Sequence, residues 1–400
     1  MKVGFINLIT KTADLPKGTL PAGGLGNLSP ETDQDLNVVE MSRRMVGEGH
    51  QVDLFVSDVY LPQQRWVPDE GLRILYLPTR LKRAFPPPLA PFTPSLSRML
   101  RQGDYDAVIS TELFQVGTGI SWMATKGSGT KAFVWQELDV LMRGPAGSAQ
   151  HWYYRTLGRQ VARGMARIIP RSRSARAHLL GEGIPPEQVA TTVVHSGVDT
   201  ELFRPMDKEP SRAKHGLEGA ESVILCLGRL HSNKGMDIMI RAMPGLLRER
   251  KGTVLVIKGR GPQEEELKRM VKKMGLERSV LFLAGHVPKQ EMPSLFNSAD
   301  VLAVTSRIDL FPFTAIESIS CGTPVATSFA RGLKTDMVDE GAAALLPADE
   351  EKLPVELAAL LADEGRLRQM GRRGRELAES DFDFSVGASR LIRIFSGEAA

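Results

Sequence analysis

Short apolar, β-branched runs alternate with longer amphipathic stretches along almost the whole chain, and no other feature restricts the fold as much. Such a pattern makes βαβ units, and βαβ units make parallel sheets covered by helices. In the first half the predicted strands are 3–9, 52–57, 73–77, 107–111, 132–135, 167–169 and 192–195. Predicted helices include 33–48, 94–101 and 150–165, with Gly49-His50 as a stop for the first. A polar stretch, 206–214, interrupts the pattern. It restarts with strands at 223–228, 253–259, 280–284, 301–305 and 324–326. The helices predicted there are 236–249, 264–274, 289–297, 315–321, 355–363, 365–379 and 385–396. A chain of 400 residues also exceeds the roughly 250–300 at which single cores stop growing. The expectation is α/β: two doubly wound domains, 1–202 and 203–380, facing each other with a site in the cleft between them.

Composition narrows the class. Hydrophobic residues make up 42% and charged residues 24%, as in a soluble globular chain. No run approaches the roughly 18 apolar residues of a membrane span. The opening residues, Met1 to Ile6, lack a signal-length apolar core and read as the first strand. The two cysteines, Cys226 and Cys321, sit in apolar runs, so neither a disulfide framework nor a zinc site is expected. The expected location is cytoplasmic, or peripheral on the cytoplasmic face of a membrane.

The formal net charge of +4 is small, which argues against nucleic acid as a partner. Its distribution is uneven. Arg155, Arg159, Arg163 and Arg167 recur every fourth residue, so one helix would carry them as a stripe. A solvated helix face is one reading of that stripe. Contact with an anionic membrane surface or a lipid-diphosphate acceptor is the other.

Two segments carry chemistry. Gly228-Arg229-Leu230-His231-Ser232-Asn233-Lys234-Gly235 follows a predicted strand and sets two cations on a glycine-punctuated loop. Asp309 and Glu317 are a pair of carboxylates, the second early in a predicted helix and followed by Cys321-Gly322-Thr323-Pro324. A basic loop can be merely solvated, and a glutamate near a helix start can be a dipole partner. Near the N-terminus, Gly23-Gly24-Leu25-Gly26 is either a tight turn or an anion cradle. Asp33-Gln34-Asp35, Asp104-Tyr105-Asp106 and Asp381-Phe382-Asp383 fit turns and helix starts better than a metal site.

Taken in this order, the segments 228–235 and 309–325 resemble the donor site of retaining glycosyltransferases of family four. That group includes glycogen synthase-like and phosphatidylinositol mannosyltransferase-like enzymes, and its fold is GT-B. The resemblance covers most of the chain and is strongest over 195–325. It implies two Rossmann-like domains, the first acceptor-binding and the second nucleotide-sugar-binding, with 381–400 packing back on the first. It implies a nucleotide diphosphate sugar as donor and a glycan, a lipid-linked molecule or a small molecule as acceptor. No metal or other cofactor is expected. Arg229 and Lys234 would take the place of a metal at the diphosphate, and Glu317 would bind the ribose. Gly24, Phe313 and Thr314 would meet the donor, the last two because Pro312 has no N–H. The loops of Gly259, Gly261 and Val287 match the base pocket.

The chain also departs from the pattern. Asp309 stands where the family has a glutamate near the donor sugar, which shortens the reach by one C–C bond, roughly 1.5 Å. The histidine that several relatives carry after a first-domain strand is absent. The acceptor side is assigned instead to Glu112, Glu137 and Asp139. Two other functions stay open: a nucleotide-sugar epimerase of the same fold, whose chemistry needs carboxylates or a histidine facing the sugar, and a non-catalytic sugar-nucleotide binder, which these departures favour.

Overall fold

The apolar runs become strands, and the central ones, such as Ala107–Thr111 and Val301–Val304, are buried on both faces, as in parallel sheets covered by helices. The computed structural model describes residues 1–8, 36–57, 71–81, 91–141, 144–285, 287–307, 309, 311–328 and 331–398. The chain divides into two units, Met1–Gly197 with Phe384–Ala400, and Val198–Asp383.

Unit 1 holds β1 (Lys2–Asn7), β2 (Gln51–Ser57), β3 (Leu72–Leu77), β4 (Ala107–Thr111), β5 (Lys131–Gln136) and β6 (Arg167–Pro170). They form one sheet in the order β3-β2-β1-β4-β5-β6, with every pairing parallel. Strand order reverses between β1 and β4, and loops leaving the C-terminal ends of such a pair diverge. The helix Phe384–Ser396 closes this unit. Its Phe384, Ala388, Leu391 and Phe395 share a core with Val38, Met41 and Met45 of the helix Leu36–Gly47.

Unit 2 repeats the plan with β7 (Ser222–Leu227), β8 (Thr253–Lys258), β9 (Val280–Leu283), β10 (Val301–Val304), β11 (Val325–Thr327) and β12 (Ala343–Leu345). The order is β12-β11-β10-β7-β8-β9, again all parallel, and the reversal lies between β7 and β10. The helix Met236–Glu249 covers one face through Met239, Ile240, Met243 and Leu246. Among the described residues no helix is long and apolar enough to cross a membrane.

Several expectations need correction. The boundary lies at 197/198 rather than 202/203. Val198 donates its N–H to Phe382 O at 2.7 Å, and Val198 and Phe203 are buried in the second unit's core. The return to unit 1 comes at Phe384, three residues later than expected. The single helix over 150–165 does not form. It breaks at Thr156 (φ −122°, ψ −99°) into Pro145–Arg155 and Leu157–Gly164. Arg155 therefore ends one helix, Arg159 and Arg163 lie on the next, and Arg167 opens β6, so there is no continuous stripe. Residues 192–195 lie beside β6 through Val194 N–H and Pro170 O but form no strand. The helices Val116–Thr125, Arg173–Gly181 and Lys208–Lys214, and the strand β12, add to the predicted set.

Candidate active site

In unit 2 the loops leaving β7, β8 and β10 are held backbone to backbone. Gly228 N–H donates to Lys258 O at 3.0 Å, and Leu230 N–H donates to Arg260 O at 2.9 Å. A Cβ on Gly259 would lie 1.8 Å from Gly228 O, and one on Gly261 would lie 2.3 Å from Leu230 O. Both glycines are therefore required by the approach of the two loops. On the other side Gly235, at φ +65°, leaves no room for a Cβ, which would lie 2.0 Å from Thr305 O.

This framework brings Lys234 and Asp309 together. Lys234 ends a single 3₁₀ turn on the loop after β7, and Asp309 lies on the loop after β10. Lys234 Nζ donates to Asp309 Oδ2 at 2.5 Å, and Ser306 Oγ donates to the same oxygen at 3.2 Å. The two side chains are 22% and 15% exposed, so the pair is shielded without being closed to a ligand. Arg307 braces the arrangement. Its guanidinium makes two bonds to Asp237, at 2.8 and 2.7 Å, and a third to Ser232 O at 2.9 Å. No sequence signal marks this brace, because Asp237 and Arg307 come together through the pairing of β7 with β10. Arg229 lies on the same loop as Lys234 with its side chain exposed.

Glu317 sits in the helix Phe313–Ser320, which Phe313 and Thr314 open after Pro312. The first N–H groups of a helix have no intrahelical acceptor, so this end favours an anion. Glu317 is half-buried, and burial pushes its carboxyl up to about 7, opposed by the charge of Lys289. Among the described residues no donor reaches that carboxylate. Val287 follows the end of β9.

Unit 1 gathers Glu112, Glu137 and Asp139 at the C-terminal ends of β4 and β5. Glu112 has a left-handed backbone (φ 63°), rare for a residue with a side chain. That turn sends its carboxylate onto the next loop, where it accepts from Glu137 N–H (2.7 Å), Leu138 N–H (3.2 Å) and Gln136 Nε2 (2.6 Å). Burial, and then the charge of Glu137, push the Glu112 carboxyl up to about 7 against the pull of Arg171 and the two amides. Glu137 pairs with Arg171 at 3.0 Å, and the Arg171 guanidinium lies 3.7 Å from the centre of the Trp135 ring. Asp139 accepts from Ser174 Oγ at 2.9 Å. Glu112 thus shapes the loop that carries the other two. Gly24 lies outside the described residues.

Among the described residues no three His, Cys, Asp or Glu side chains gather as a metal site. Asp104, at φ 50°, and Asp106 lie before β4 at the opposite end of the sheet from Glu112, and Asp106 accepts the N–H of Lys2. Asp383 accepts from Thr200 Oγ1 at 2.6 Å. Both motifs are structural.

Comparison with known proteins bears on both units. Residues 207–377 match the family model described as glycosyl transferases group 1, and residues 37–195 match a glycosyl transferase 4-like domain. The D-inositol 3-phosphate glycosyltransferase of Segniliparus rotundus is 35% identical over 187 residues, which span 46% of this chain and 41% of that protein. The match thus takes in less than half the length of that relative. The D-inositol 3-phosphate glycosyltransferase 1 of Catenulispora acidiphila is 27% identical over 416 residues, 98% of this chain and 95% of that one. Anabaena HepE, solved in complex with UDP, superposes with a TM-score of 0.72 at 17% identity, covering 99% of this chain and 100% of that one. The two parallel sheets, the two matched regions and the full-length likeness agree: the chain belongs to the family-four type of glycosyltransferases and has the GT-B fold.

Proposed function

We propose that the protein transfers a sugar from a nucleotide diphosphate sugar to an acceptor hydroxyl, with retention at the anomeric carbon and without a metal. The observation that carries this reading is the Lys234–Asp309 pair, which joins two loops at the point where β7 and β10 part. Ligands of open α/β sheets bind outside the carboxyl ends of the strands at such a point. Lys234 has three N–H donors and gives one to Asp309, so two remain for phosphate oxygens. Arg229 adds a second cation. As the glycosidic bond breaks, charge builds on the leaving diphosphate, and fixed cations stabilise it without reorganising.

Glu317 suits the ribose, because a carboxylate can accept from two neighbouring hydroxyls at once. The N–H groups of Phe313 and Thr314 suit phosphate, and the backbone at Val287 suits the base edge. The acceptor hydroxyl attacks from the side of the leaving group, and a donor phosphate oxygen takes its proton. Glu137 and Asp139 are assigned to the acceptor. The inositol phosphate relatives point to a phosphorylated polyol as one acceptor class.

A screen of nucleotide diphosphate sugars, with and without added acceptor, tests the reading. Transfer to the acceptor supports it. A changed donor sugar with no acceptor indicates epimerisation instead, and binding without turnover indicates a sugar-nucleotide binder.

We also assign an anionic membrane surface to the exposed residues around Thr156. Trp152 and Leu157 are 66% and 46% exposed, and Arg155 and Arg163 are exposed beside them in sequence. Apolar side chains among cations suit a headgroup layer. Failure to float with anionic liposomes would remove this part.

A further inference from the structure

Lys258 ends β8 and is only 6% exposed. Its ammonium donates to three consecutive carbonyls, Leu283 O at 3.2 Å, Ala284 O at 3.2 Å and Gly285 O at 2.7 Å. An ammonium has three donors, so all are used. Successive carbonyls of an extended strand point to opposite sides. Three can meet at one nitrogen only if the chain leaves the extended form there, and Gly285, at φ +81°, shows that it does. The main chain of the same residue holds the donor loop, since Lys258 O accepts Gly228 N–H at 3.0 Å.

A buried lysine is costly, and an apolar side chain would fill the same space. What an apolar side chain lacks is the ability to hold three converging carbonyls, which would otherwise repel one another and lose their partners. The lysine therefore selects one shape for the turn after β9. Burial, helped by the charge of Arg260, lowers the pKa of this ammonium, so its environment does strain the charge.

We propose that Lys258 is the positioning residue of the nucleobase subsite: its ammonium fixes the turn at Leu283–Gly285 and thereby the backbone of Val287 that meets the base. This deepens the donor assignment above and rests on it. The residue touches no reacting atom, and its effect falls on the base rather than on the diphosphate.

The test compares UDP, GDP and ADP with inorganic pyrophosphate, a probe with no base, by calorimetry on the full chain. Lys258→Met is expected to weaken the preferred nucleoside diphosphate at least tenfold and to flatten the preference among bases. Pyrophosphate affinity stays unchanged. Lys258→Gln keeps two donors and should fall between, and it decides the matter if the methionine variant does not fold. Unchanged affinity and preference in a folded variant overturns the proposal. So does an equal loss for pyrophosphate, which would make Lys258 a support of the whole site. If the wild-type chain binds none of the three nucleotides, the donor assignment itself fails and the proposal falls with it. A variant that behaves as wild type while the wild type binds overturns the positioning role alone.

Discussion

Lys234 Nζ and Asp309 Oδ2 lie 2.5 Å apart and tie the loop after β7 to the loop after β10. The pair puts the expected phosphate cation and the expected sugar carboxylate in direct contact. Removing the cation should remove the stabilisation of the leaving group. Lys234→Ala is expected to lower kcat/KM for the donor by about 10²–10³, as loss of one preorganised charge-stabilising donor does. Initial rates at saturating acceptor check this, and wild-type rates would refute the assigned role.

In the proposed donor complex Asp309 and the diphosphate share the Lys234 ammonium, and the carboxylate offsets part of its charge. Asp309→Asn keeps the shape and removes the competing charge. Free nucleoside diphosphate should bind the variant more tightly, while sugar transfer slows because the sugar loses a charged partner. Calorimetry against turnover separates the two effects. Weaker nucleotide binding in the variant would show that Asp309 orients Lys234 instead of screening it.

The architecture was largely legible in the sequence. Strand β4 was predicted with its bounds, Ala107–Thr111, and the helix Met236–Glu249 likewise, because apolar runs and 3.6-residue periodicity are strong local signals there. The helix Val116–Thr125 was not legible. It contains Gly117 and Gly119, and its buried face is made of Gly117, Thr118, Ser121 and Thr125 as well as Ile120 and Ala124, so hydropathy shows no apolar stripe. Pro210 hides Lys208–Lys214 within the polar stretch 206–214. The break at Thr156 splits a run with continuous periodicity. Gly158 permits the bend, since a Cβ there would lie 2.8 Å from Tyr153 O.

The site was legible in its types and not in its pairings. Lys234 and Asp309 could each be picked from their segments, but their contact depends on β7 and β10 being neighbours. Glu112 was assigned to the acceptor because it follows a strand. Its left-handed backbone, which turns the carboxylate inward, has no sequence signature for a glutamate.

Tight loop packing makes Gly259 a sensitive position. Its φ of +154° is unfavourable for a side chain, and a Cβ would lie 1.8 Å from Gly228 O. Gly259→Ala should destabilise the protein by about 2 kcal/mol or more and displace the loop of Arg229. A lowered midpoint of thermal unfolding together with weakened nucleotide binding is expected. An unchanged midpoint would show that the two loops can separate at little cost.

Glu317 gives a pH dependence with a definite sign. Its carboxyl is raised from 4.5 to about 7 in the folded protein by burial. Between those values the folded state holds a proton that the unfolded state has lost. This residue's contribution to stability is therefore present below about 4.5 and declines as pH rises towards 7. Ribose hydroxyls donate to the ionised form, so nucleotide binding should run the other way, weakening as pH falls through 7. In Glu317→Gln the affinity for a nucleotide diphosphate sugar, which has no terminal phosphate to titrate in this range, should drop at least tenfold at pH 8 and lose its dependence on pH between 6 and 8, as expected on losing hydrogen bonds to a charged group. Glu112, also raised to about 7, adds to the stability profile but faces its own loop, so Glu112→Gln should leave the pH profile of nucleotide binding unaltered. A flat wild-type binding profile across pH 6–8 would remove Glu317 from the ribose.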